Sequence, residues 1–141
     1  MLQAMDGRGM KHILLVDDDA GYRGSLRDLL EEEGYRCDEA GDGQSALEKL
    51  AGSSFHLVIT DFRMPRVNGL DLLAAMAKGN RLAATPVIVI TGELDERIRN
   101  HALASGASCV LFKPSQPANL LSLMARTMNE SDRTTRNHGS G

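Results

Sequence analysis

Residues 14–20 read LLVDDDA, an unbroken apolar run that closes on three consecutive carboxylates. Such a run suits a strand of a parallel sheet covered on both faces, because neither side of it meets water. The carboxylates then stand at the mouth of that strand, where packing alone gives no reason to gather like charge. The rest of the chain decides what they are for.

Five short runs have strand character: HILLV (12–16), YRCDEA (35–40), FHLVIT (55–60), PVIVI (86–90) and SCVLF (108–112). The segments between them carry apolar residues at helical spacing. A first helix over about 20–33 presents Tyr22, Leu26, Leu29 and Leu30 and stops at Gly34, where a left-handed residue is cheapest. Asp42 is placed to cap a second helix presenting Ala46, Leu47 and Leu50, and Asn68 a third presenting Leu70, Leu73, Ala74 and Ala77. A fourth, near 94–104, presents Leu94, Ile98 and Ala102 and ends before Gly106. The fifth starts at Pro117 with Leu120, Leu121, Met124 and Met128 inward. The folded unit is therefore expected over 11–129, after a flexible segment 1–10 and before a polar tail or linker at 130–141.

Strands alternating with helices predict an α/β fold, an open, doubly wound parallel sheet. In such sheets ligands bind beyond the carboxyl ends of the strands, near the point where strand order reverses. Read at those ends, strand one delivers Asp17 and Asp18, strand three Asp61, strand four Thr91 and strand five Lys113. Asp19 is assigned instead to capping the first helix, since its side chain can accept orphan backbone N–H bonds there.

Clustered carboxylates repel and raise one another's pKa unless a cation compensates. Oxygen ligands that leave room for water and a phosphate suit Mg²⁺. An acidic pocket with one lysine and one hydroxyl fits phosphoryl transfer: Lys113 and the metal neutralise phosphoryl oxygens, Thr91 hydrogen-bonds another, and Asp61, alone on the middle strand, is the nucleophile. Taken singly, each residue has a plain structural use, as an Asp cap or a Lys-Pro turn. Their joint appearance, each at the end of a different strand, favours a site.

At this point LLVDDDA, VITDFRMPRVNGLDLL, VIVITGE and GASCVLFKP together resemble the signature blocks of response-regulator receiver domains of two-component systems. The resemblance spans about residues 11–129 and implies a flavodoxin-like (βα)5 fold with a five-stranded sheet in the order 2-1-3-4-5. Position by position it implies Asp61 as phosphoacceptor, Asp18 and Asp61 as direct metal ligands, Asp17 as a ligand through water, and Arg63 as a ligand through its backbone carbonyl. It further implies Thr91 and Lys113 as the switching hydroxyl and the site lysine, Gly92 as the small residue beside Thr91, and a cis Lys113–Pro114 bond. One position departs: Val110 stands where the family commonly carries an aromatic switch residue. Phe112 shares its strand parity but is expected in the core.

Composition sets the remaining bounds. The chain has 141 residues, 42% hydrophobic, with a formal charge of -3, which suits one domain and supplies no basic field for nucleic acid or an anionic membrane. No apolar run approaches the roughly 18 residues of a membrane span, and a cytoplasmic location is expected. Cys37 and Cys109 read as buried thiols, and the four histidines, His56 among them, as surface or tail residues. Arg63 and Glu93 should face each other across the site, either paired as a rim or separately solvated. The resulting expectation is a signalling phosphoacceptor that catalyses only its own phosphorylation and autodephosphorylation. Its donor would be a sensor histidine kinase or phosphotransfer protein, and its downstream effector is not named by the sequence. The alternative is a pseudo-receiver, an interaction module without a phosphate cycle. A nucleotide- or flavin-binding enzyme ranks last, because neither a Walker-type loop nor GxGxxG is present.

Overall fold

The computed structural model describes residues 10–113 and 115–140, with side chains through 129. Five strands and five helices alternate: β1 His12–Val16, α1 Ala20–Glu32, β2 Arg36–Ala40, α2 Gly43–Gly52, β3 Leu57–Asp61, α3 Gly69–Lys78, β4 Val87–Thr91, α4 Glu96–Ala104, β5 Cys109–Phe112 and α5 Pro117–Ser140. All neighbouring strands pair in parallel, in the order β2-β1-β3-β4-β5. The expected doubly wound fold is therefore present, with its reversal point between β1 and β3.

The period of two along each strand divides the core. Leu14, Val16, Val58, Val87 and Val89 face α2, α3 and α4, while Ile13, Leu15, Leu57, Ile59, Ile88 and Ile90 face α1 and α5. This explains why ILLV and VIVI carry no polar alternation: both faces are covered. β2, at one edge, instead mixes Arg36, Asp38 and Glu39 with buried Cys37 and Ala40, as an edge strand does when charge blunts it.

The helix starts follow the expected chemistry. Asp19, Asp42 and Asn68 each accept a backbone N–H in the first turn of α1, α2 and α3, and Asn68 completes a reciprocal capping box with Asp71. Where faces were drawn from sequence, three details differ. The buried face of α3 is Gly69, Leu72, Leu73 and Met76, because the larger Leu72 and Met76 take the core positions; Ala74 and Ala77 are exposed and Leu70 is partly buried. Leu94 is 83% exposed, since Asp95 caps α4 after it and leaves it outside the helical face of Ile98 and Ala102. His12, expected at the surface, is largely covered: it lies against Phe55 at 4.3 Å with Nε2 3.4 Å from Asp38 Oδ2, because it opens a central strand beneath the β3 approach.

α5 continues to Ser140, through the polar segment read as tail or linker. Between Pro117 and Gly139 there is neither proline nor glycine to stop it, and polar residues extend an existing helix at little cost. Among the described residues no helix is long and apolar enough to cross a membrane.

Candidate functional site

The carboxyl ends of β1 and β3 lie side by side at the reversal point, and the side chain of Lys113, just past edge strand β5, reaches them. Asp17 is held from several sides: its N–H donates to Ala40 O at 3.1 Å, and its Oδ1 accepts from Asp19 N at 2.9 Å. Lys113 Nζ donates to Asp17 Oδ2 at 2.9 Å and lies 3.6 Å from Asp61 Oδ2. Asp61 itself ends β3, and its Oδ1 accepts from Phe62 N at 2.8 Å, which fixes the rotation of the carboxylate. Asp17, Asp18 and Asp61 each offer a carboxylate oxygen within 4.8 Å of the others. Asp17 is buried, Asp61 half-buried and Asp18 exposed, so the cluster opens to solvent on the Asp18 side. There a cleft of about 340 Å³ is lined by Asp18, Phe62, Arg63, Met64, Pro65 and Asn68.

The electrostatics match this geometry. Burial, and then the neighbouring Asp17 charge, push the Asp61 carboxyl above its ordinary range, and Lys113 only partly offsets them. Burial works against the Lys113 ammonium, but its hydrogen bond to Asp17 and the charges of Asp61 and Asp17 outweigh that and hold its pKa above the usual lysine value. The fit to a hard divalent cation is good on chemical grounds: three clustered oxygen donors, one buried and one exposed, leave space for water on the open side.

The remaining expected residues fall around this cluster. Thr91 ends β4, fully buried, with its Oγ1 accepting from Glu93 N at 3.2 Å, and its carbonyl accepts from Lys113 N at 2.7 Å. A Cβ added at Gly92 would meet nothing within 4 Å, so the space beside Thr91 is open. Arg63 and Glu93 pair across the mouth, Arg63 Nε donating to Glu93 Oε1 and Nη2 to Oε2 at 3.1 Å. Val110 packs beneath α4, against the core that holds Ile98 and Ala102. Phe112, expected in the core, is only partly buried, because β5 is an edge strand and Phe112 is its last residue, level with Thr91. The expected cis Lys113–Pro114 bond involves Pro114, which lies outside the described residues.

Residues 13–125 match the family model for the response regulator receiver domain. The chain belongs to that family. The receiver is 31% identical over 121 residues to the two-component response regulator ORR5 of rice, a match covering 85% of this chain and 90% of that protein. It is 32% identical over 121 residues to the transcriptional regulatory protein FixJ of Bradyrhizobium diazoefficiens, covering 86% of this chain but 58% of FixJ. Among solved structures, a CheY-like receiver domain protein from Methanospirillum hungatei superposes with a TM-score of 0.81 at 30% identity, covering 87% of this chain and 97% of the other. The chemotaxis protein CheY4 of Vibrio cholerae gives 0.79 at 30% identity, covering 84% and 99%.

Two residues of the receiver's site escaped the sequence reading. Tyr22 was assigned to the core face of α1, yet Lys113 Nζ sits 4.3 Å from its ring centroid. Arg23 donates from Nη1 to Asp17 O and from Nε to Glu39 Oε1 at 2.7 Å, tying the loop that carries the acidic cluster to β2. Arg27 donates to the other Glu39 oxygen at 2.8 Å. Arg23 and Arg27 stand four apart on α1, and Glu39 is the penultimate residue of edge strand β2. A charged pair facing a carboxylate on the next element was the available signal, but nothing local required it.

Of the two thiols expected to be buried, Cys109, on edge strand β5, is only partly so. Cys37 is buried, and burial pushes its thiol up to about 12, so it stays protonated and inert.

Proposed function

We propose that this receiver takes a phosphoryl group onto Asp61 in an Mg²⁺-dependent reaction, from a sensor histidine kinase or a phosphotransfer protein. The observation that carries the reading is the convergence of Asp17, Asp18 and Asp61 with Lys113, whose Nζ lies 2.9 Å from Asp17 and 3.6 Å from Asp61. Asp17, Asp18, Asp61 and the Arg63 carbonyl would hold the metal, which supplies charge neutralisation for phosphoryl oxygens when bound. The Asp61 carboxylate attacks phosphorus, an O–P bond forms, and the N–P bond to the donor imidazole breaks, with the electron pair leaving on that nitrogen. Lys113 takes one equatorial oxygen by charge-assisted hydrogen bonding, and the Thr91 hydroxyl takes another. Phe62 N–H keeps the carboxylate from rotating away. Autodephosphorylation reverses the state: water attacks phosphorus, the O–P bond to Asp61 breaks, and inorganic phosphate leaves.

The folded unit we assign to 11–129, in a cytoplasmic protein whose modified state changes a partner-binding surface formed by α4, β5 and α5. Val110, lacking an aromatic ring to swing, leaves that output to be carried by other residues.

The test is the mass of the intact protein after incubation with Mg²⁺ and a small-molecule phosphodonor, beside Asp61→Asn and a chelated control. One phosphoryl addition is expected in wild type alone. Addition that survives in Asp61→Asn removes Asp61 from the role, and a wild type that is never modified leaves the interaction-module reading.

A further inference from the structure

Among the described residues Lys113 supplies the ammonium that pairs with the acidic cluster, and a lysine stem alone fixes its ammonium poorly, having four rotatable carbons. Two of its neighbours are the carboxylates of Asp17 and Asp61. The third is the face of Tyr22, 4.3 Å from Nζ to ring centroid, inside the range where a ring quadrupole attracts a cation. The backbone of Tyr22 is fixed, because its N–H donates to the capping carboxylate of Asp19 at 3.1 Å in the first turn of α1.

Tyr22 lines two spaces, the small void beneath Asp17 and Asp61 and the 300 Å³ groove between α1 and α5 that it shares with Leu26, Leu29, Pro117 and Leu120. Tyr22 therefore covers the ammonium on the side of this groove, while its carboxylate partners are Asp17 at 2.9 Å and Asp61 at 3.6 Å.

We infer that Tyr22 is a positioning residue for Lys113, using its aromatic face to hold the ammonium where the phosphoryl group on Asp61 must form. This rests on the proposed phosphorylation of Asp61. Ordering a flexible cation before the reaction lowers the barrier, because less freedom is lost at the moment of transfer. The hydroxyl of Tyr22 has no part in this, and the electron density of the ring face does.

The experiment measures the rate of phosphoryl uptake from a small-molecule phosphodonor at saturating Mg²⁺, in wild type, Tyr22→Phe, Tyr22→Leu, and proteins with progressively fluorinated phenylalanine at residue 22. Tyr22→Phe keeps the face and should restore most of the rate lost in Tyr22→Leu, which should be slower by roughly three- to tenfold. Fluorination keeps the shape and weakens the negative face, so the rate should fall stepwise along that series. Mg²⁺ affinity, read by calorimetry without any phosphodonor, should change by less than about twofold, since Tyr22 touches no ligand atom. In wild type the Lys113 ε-methylene protons should show a ring-current shift that Tyr22→Leu removes. In a Lys113→Met background, Tyr22→Leu should have no further effect on rate.

A rate independent of fluorination, an equal effect of Tyr22→Leu in the Lys113→Met background, or a missing ring-current shift overturns the positioning role and leaves the phosphorylation reading in place. A wild-type chain that takes up no phosphoryl group overturns both.

Discussion

Gly69→Ala should destabilise this receiver and slow its phosphorylation, although alanine is the better helix former. Gly69 opens α3 directly behind the end of β3, which carries the proposed phosphoacceptor Asp61, and its N–H donates to Phe62 O at 2.9 Å. A Cβ there would lie 2.7 Å from Asp61 O, 3.1 Å from Phe62 Cα and 3.2 Å from Phe62 O. All three are backbone atoms, so no side-chain rotation relieves the clash. Carbon–oxygen contacts settle at about 3.3 Å or more, so α3 and the end of β3 must separate by about 0.6 Å. Overpacking of this kind costs about 1–3 kcal/mol. The propensity gain is at most about 1 kcal/mol and smaller at a first-turn position, which leaves a net loss of about 1–2 kcal/mol. The melting temperature should fall by about 3–8 °C.

Asp61 O and Phe62 N belong to one peptide unit, and that N–H holds Asp61 Oδ1. Tilting the unit misplaces the carboxylate, and a shift of this size should slow phosphoryl uptake by about tenfold, given that a displacement of about 1 Å can cost a hundredfold. Gly24→Ala is the control. It lies inside α1 with nothing within 4 Å of its added Cβ, so it should stabilise by about 0.5–1 kcal/mol. Calorimetric unfolding and intact-mass kinetics on both variants check the pair. If Gly69→Ala melts at or above wild type and is modified at the wild-type rate, the close approach of α3 to the Asp61–Phe62 peptide is refuted.

Asp61→Asn should melt higher than wild type at pH 7 without metal, because burial and then Asp17 raise the carboxyl's pKa, so its stability contribution is present below the unfolded carboxylate value and lost as pH rises through the folded one. The difference should vanish in acid, and added Mg²⁺ should raise the melting temperature of wild type more than that of the variant; a constant offset at all pH values would contradict this. Glu39→Gln should destabilise by about 1 kcal/mol, allowing for partial exposure. Hydrogen bonds from Arg27 and then Arg23 hold the Glu39 carboxylate below its ordinary range, so wild type should lose this contribution as pH falls through that lowered value, and the variant's acid limb should be flatter in urea titrations. Arg63→Ala and Glu93→Ala should each change the lifetime of phosphorylated Asp61 several-fold, with the double variant close to either single one, since the two side chains meet across the mouth. Single effects that multiply in the double variant would defeat the paired rim.

What the sequence made legible was whatever depends on neighbours a few residues apart. LLV and VIVI announced strands covered on both faces, and Asp19, Asp42 and Asn68 announced helix starts, because burial of a strand and capping of a turn are each settled within one element. Asp17, Asp18, Asp61, Thr91 and Lys113 could be gathered in advance for a related reason: topology alone sends every strand end of such a sheet to the same edge. The errors came where two elements choose between equivalent local options. Leu72 and Met76 displaced Ala74 and Ala77 on α3 because the facing core has volume to fill, which no spacing along α3 records. Tyr22 satisfied the helical period as a core residue and also reached Lys113, from the other end of the chain. A side chain that meets a helix's apolar pattern while its ring faces an ammonium leaves no local trace of the second role. In a receiver without an aromatic at residue 110, that second role is the more informative one, since it places an aromatic face against the lysine from the α1 side of the sheet.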